Sequence, residues 1–186
     1  MALRTIRRPV IFNTFRPRSA RFAERAVKAT QSGNDFRDLS AMICWPAVIE
    51  CARRAGAVSN KAARDMTART QANSFHAYMP PSGMRIFDNA EWQTVPEGCF
   101  VALIADALAG GGQVLAHAVV SLGNGRVAGS NNGCIDGPNT WTAYSLTEKL
   151  TWQGEYLCHT VNGHTRRFEL WVRDIEDREA PDCFVQ

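Results

Sequence analysis

Between residues 96 and 130 the chain is written almost wholly in apolar residues and turn signals, and this stretch restricts the fold more than any other. Pro96-Glu97-Gly98 reads as a turn, and Cys99 to Ile104 (CFVALI) is a short apolar run with the signature of a buried strand. Gly110-Gly111-Gly112 marks a loop. Val114 to Leu122 (VLAHAVVSL) is a second strand, Gly123-Asn124-Gly125 a tight hairpin signal, and Arg126 to Ser130 the returning strand. Further on, Tyr156 to Thr160 and Arg167 to Val172 flank Asn162-Gly163, a second hairpin.

Upstream the period changes. Residues 17–31 read as a helix with Phe22, Ala23 and Val27 among charged positions, broken by Ser32-Gly33-Asn34-Asp35. A second helix starts near Cys44, with Pro46 in its first turn, where a missing N–H costs nothing. Trp45, Val48, Ile49 and Ala52 form its apolar stripe and Gly56 suits its end. A third covers Asn60 to Ala72, and His76 and Pro80-Pro81 fall in the loop beyond. Helices precede an antiparallel sheet, so the expected class is α+β. A chain of 186 residues suits one domain, taken as 37–186 behind a basic extension over 1–36 that carries the first helix.

Charge is unevenly placed. Residues 1–30 hold eight of the 21 basic side chains and one of the 18 acids, which leaves 13 basic and 17 acidic residues for the remainder. That leader reads first as a solvated basic helix rather than a specific nucleic-acid site or a transit peptide. It lacks the apolar core of a secretory signal, and no run approaches the roughly 18 apolar residues that span a bilayer. Six cysteines occur without a C-x-x-C pair, and Cys44 and Cys51 lie too far apart on one helix to be bridged. Reduced thiols and a cytoplasmic location are expected, with export only by a route that leaves no signal peptide. Cys158-His159 with His164 supplies too few ligands for zinc, and no metal or cofactor is expected. Trp141, Trp152 and Trp171 read as core before cleft.

Two residues carry candidate chemistry. A nucleophilic cysteine needs a lowered pKa, an imidazole as base, and a third group holding that imidazole. Cys44 sits at a helix N-terminus, where the dipole and free N–H groups favour a thiolate and can hold an oxyanion. Among the four histidines, His117 stands in the middle of an apolar strand. If Asn124-Gly125 form a two-residue turn, Asn132 lies opposite His117; a three-residue turn brings Asn131 there instead. Either amide would orient the ring, with Asp136 the alternative.

Cys44, the run VPEGCFVALI and the strand HAVVSLGNGRV together resemble the papain-like cysteine hydrolases, most of all the NlpC/P60 peptidase superfamily. The likeness runs from about Ala41 to Asn132. Ile43-Cys44-Trp45-Pro46 departs from that family's usual Asp-Cys-Ser-Gly. Its third polar residue falls near Gly129, so Asn131 or Asn132 requires a longer turn or a bulge. Gln31, Asn34 and Ser40 are the upstream choices for an oxyanion donor. The resemblance implies a thiol hydrolase of an amide bond in which His117 takes the Cys44 proton. It implies a peptide or protein substrate, with the stem peptide of bacterial peptidoglycan foremost. It is compatible with a delivered toxin or effector met by an immunity or inhibitor protein. Deamidation or acyl transfer uses the same constellation, and a non-catalytic module docking on an anionic polymer is the competing class.

Overall fold

In the computed structural model, residues 12, 14–68, 83–106, 112–130, 135 and 140–176 are described. The chain is α+β, with N-terminal helices packed on a curled antiparallel sheet. In order these are α1 (Pro17–Lys28), α2 (Asn34–Ser40), α3 (Cys44–Arg54), α4 (Asn60–Thr67), β1 (Met84–Ile86), α5 (Asn89–Thr94), β2 (Cys99–Asp106) and β3 (Gln113–Gly123). There follow β4 (Arg126–Ser130), β5 (Trp141–Ser145), α6 (Leu146–Lys149), β6 (Thr151–Gln153), β7 (Tyr156–Val161) and β8 (His164–Asp174). The sheet runs β5-β4-β3-β2-β8-β7-β6, and β1 pairs with β8.

The unbroken apolar run of β2 has a simple cause: both its faces are covered. Phe100, Ala102 and Ile104 meet the helices, while Val101, Leu103 and Ala105 enter a second core inside the curl, with Trp92, Phe168 and Leu170. Burying each large apolar side chain of this kind contributes about 1.5–3 kcal/mol. Both expected hairpins form, and Asn124 and Asn162 take the left-handed backbone (φ of 50° each) that a tight two-residue turn requires.

α3 inserts Trp45, Val48, Ile49 and Ala52 into the first core. It ends as its sequence predicts: Gly56 turns left-handed (φ +64°), and the N–H groups of Gly56 and Ala57 return to Arg53 and Ala52 at 3.0 and 2.9 Å. α4 is capped by Ser59, whose hydroxyl accepts the Ala62 N–H at 3.1 Å.

α1 belongs to the domain's own core. Phe22 and Ala26 are fully buried, and the Phe22 ring lies 5.2 Å from that of Phe100. Its first turn contains neither a capping side chain nor an acid. Glu176, beyond the end of β8, supplies both: its carboxylate accepts the N–H groups of Arg18 and Ser19, the latter at 2.8 Å, and pairs with the Arg18 guanidinium at 3.1 Å. Arg16 pairs with Asp174 beside it. The start of α1 is therefore stapled to the end of β8 and the residues that follow it. Among the described residues, no helix is long and apolar enough to cross a membrane.

Candidate active site

The chain just before α3 fixes where its first residue lies. Ser40 Oγ accepts the main-chain N–H of Trp141 at 2.9 Å, and Ser130 donates its hydroxyl to the Met42 carbonyl at 3.0 Å. The α2–α3 turn is thereby tied to the start of β5 and the end of β4, and Cys44 opens α3 beside them. No side chain caps α3, and Pro46 brings no N–H, so Cys44 lies at the positive end of the helix dipole. Its side chain is buried, at 1% exposure. Ser40→Ala is expected to cost about 1–2 kcal/mol, because it strips the acceptor from a main-chain N–H next to the core. Urea unfolding checks it, and an unchanged midpoint would contradict it.

His117 lies level with Leu103, whereas Ile104 faces Leu115, so Ala116 is an extra residue in β3. This bulge sits against His117, and bulges re-aim the side chains beside them. The imidazole is fully buried. Its Nε2 is 3.1 Å from the Tyr144 hydroxyl oxygen, and its Nδ1 has no hydrogen-bond partner among the described residues. Burial alone pushes its pKa down to about 4, so the ring is neutral at pH 7.

Tyr144, on β5, pairs across the ladder with Val127 and is itself buried. Burial raises its phenol pKa, with a smaller contribution from Cys44. Tyr144 belongs to the second core and His117 pairs with Leu103 on that same face, whereas Cys44 belongs to the first core under the helices, so the sheet does not bring the thiol and the imidazole onto one face. Because Nδ1 is unpartnered, the Cys44 thiol is not hydrogen-bonded to that nitrogen at rest.

Asn131, Asn132, Asp136 and His76 lie outside the described residues. The β3–β4 ladder pairs Gly123 with Arg126 but Ser121 with Val127, so the register slips by one residue beyond the turn. Gly129 pairs with Thr142, and a side chain there would meet Val119 Cγ1 at 2.7 Å. No third group can come from that position; the hydroxyl comes from one strand further out. Of the upstream oxyanion choices, Gln31 and Asn34 line a separate hollow with Lys28 and Phe36, and Ser40 holds Trp141. His159 and His164 stand on the β7–β8 hairpin, three strands from β4 and beyond β2.

The other described thiols have no such setting. Burial raises Cys51 and Cys158 and pushes Cys99 up to about 12, and no described cysteine is in a disulfide. Trp141 is core, with its indole N–H on the Ala26 carbonyl at 2.9 Å, while Trp152 and Trp171 pack partly buried against the second and first cores. No cluster of His, Cys, Asp and Glu among the described residues could hold a metal. Comparison with protein-family models, with curated proteins and with solved structures found no match to this chain.

Proposed function

We propose that this protein is a cysteine-dependent amide hydrolase in which Cys44 is the nucleophile and His117 the base. The observation that carries this reading is a thiol at the uncapped head of α3 in the same fold as a buried, neutral imidazole held by the Tyr144 hydroxyl at 3.1 Å. His117 takes the thiol proton and the sulfur attacks the amide carbonyl. The C–N bond breaks as the amine leaves with that proton, and water then hydrolyses the thioester to a carboxylate and the free thiol. A peptide stem of the bacterial cell wall is the substrate the family resemblance favours. A glutamine side chain in a protein would lose ammonia through the same steps.

A second reading, a papain-like fold kept as a non-catalytic binding module, is favoured by the depth of Cys44, since a nucleophile must meet its substrate. Docking on an anionic polymer would draw on fewer of the leader's described cations than the sequence offers. Arg16, Arg18 and Arg25 are already held by Asp174, Glu176 and Asp35.

The test is incubation of the full chain with muropeptides and with a glutamine-bearing protein, scoring new amine ends and released ammonia. Cys44→Ala and His117→Ala are each expected to lower turnover at least about 100-fold, the scale of a lost nucleophile or general base. Turnover that survives both substitutions, or its absence from the unaltered protein on every amide tried, sinks the hydrolase reading.

A further inference from the structure

The ladder between β2 and β8 stops before either strand does. Its last pair is Ile104 with Glu169; beyond it β2 runs on to Asp106 against β3, and β8 runs back to His164 against β7. Had the register continued, Asp106 would face Arg167, and opposite charges at facing positions ordinarily pair. Here neither has an ion-pair or hydrogen-bond partner among the described residues, and both are exposed. The strands part instead around a hollow of about 130 Å³. Ile104 and Glu169 stand at its closed end, Asp106 and Arg167 on its two walls, and Gln113 and Tyr156 beside them.

The closed end is rigid and electrically balanced. Glu169 pairs with Arg85 at 2.9 Å and accepts the Trp171 indole N–H at 2.9 Å and the Gln113 amide at 3.2 Å. A carboxylate offers about four acceptor sites, so one of them stays open. The Arg85 guanidinium is in turn held over the rings of Phe87 and Tyr156, 4.9 and 5.2 Å from their centroids. With Glu169 offset by Arg85, the charges left over at the hollow are the Asp106 carboxylate and the Arg167 guanidinium. An anion would be drawn to Arg167 and repelled by Asp106, and a cation the reverse. A molecule carrying both charges close together is attracted by both walls.

We infer that this hollow binds a small zwitterion, an α-amino acid, with its carboxylate on the Arg167 guanidinium and its ammonium on Asp106 and the open site of Glu169. The size agrees: pockets for drug-sized ligands run from roughly 300 to 1,000 Å³, and this one is smaller. The Arg fork matches a carboxylate, which is the pairing this class requires. The site uses neither Cys44 nor His117, so the hydrolase reading stands or falls separately.

The test is a titration of the 15N-labelled full chain with glycine and with L-alanine, read from the main-chain amide signals of Ala105, Asp106, Arg167 and Glu169. Saturable shifts at those signals are expected, with a Kd on the order of 1 mM. N-acetylalanine and alanine methyl ester each lack one of the two charges and are expected to bind at least about tenfold more weakly. The same loss is expected for alanine with Arg167→Gln and with Asp106→Asn, two exposed positions where the fold is not at stake. If neither amino acid gives saturable shifts at about 20 mM, the inference is overturned. It is equally overturned if acetate or ethylammonium binds as tightly as alanine, or if both substitutions leave the affinity unaltered.

Discussion

Gly98→Ala is expected to destabilise the fold by about 3–5 kcal/mol, combining the left-handed backbone cost of a Cβ with overpacking. Gly98 turns the chain into β2 at φ +72°, and its N–H donates to the Ser121 carbonyl at 2.8 Å. A methyl at this point would run into the main chain of Ser19. That obstacle is backbone of α1, which no rotamer change moves aside. Relief requires lifting α1, and with it the Arg16 hydrogen bond to the Glu97 carbonyl at 3.0 Å and the Glu176 carboxylate on the Ser19 N–H. Gly154→Ala is the control. Its φ is +62°, but nothing lies within 4 Å of the added methyl, so about 1–2 kcal/mol of backbone cost is all it should show. Urea unfolding of both variants separates the two terms, and equal losses would refute the close approach of α1 to the turn.

That contact also shows what the sequence could and could not convey. Pro96-Glu97-Gly98 announced a turn, but not that a helix some 80 residues earlier is pressed against it. The long strands and both hairpins were legible because local chemistry determines them: apolar runs need burial, and Asn-Gly suits a left-handed turn. α2, α5, α6, β1, β5 and β6 were not. Each has eight residues or fewer, too short for a periodic stripe, and α2 (NDFRDLS) is held largely by charge, with Asp35 and Asp38 on Arg54. Arg16 and Arg18 read as solvated because the acids that pair with them, Asp174 and Glu176, lie 158 residues further along the chain. In the candidate site, Cys44 and His117 stood out by their setting in a helix head and an apolar strand. Tyr144 did not. Its part depends on β5 lying next to β4, which is a fact of sheet order, and WTAYS offers no local sign of it.

His117 should make the fold sensitive to acid well above the carboxylate range. Its pKa is lowered from 6.5 to about 4 by burial, with no charged neighbour contributing. The unfolded chain therefore takes up a proton as pH falls through about 6.5, while the folded chain resists until about 4. The stability this group lends is complete above that window and is lost as pH falls through it, at about 1.4 kcal/mol per pH unit and about 3 kcal/mol in all. Asp38 and Glu50, held below the usual carboxylate range chiefly by Arg54 and Arg53 respectively, lose their contributions only at lower pH. Between pH 6 and 5 the histidine thus dominates. Urea unfolding at pH 7, 6 and 5 is expected to show the steep fall in the unaltered protein and a flattened one in His117→Leu, whatever the variant's stability at pH 7. Parallel curves would mean that the imidazole is not buried as described. The same burial has a second consequence of opposite value to the protein: it keeps the ring neutral through the whole neutral range, so one ring nitrogen with a bare lone pair is present wherever the fold is.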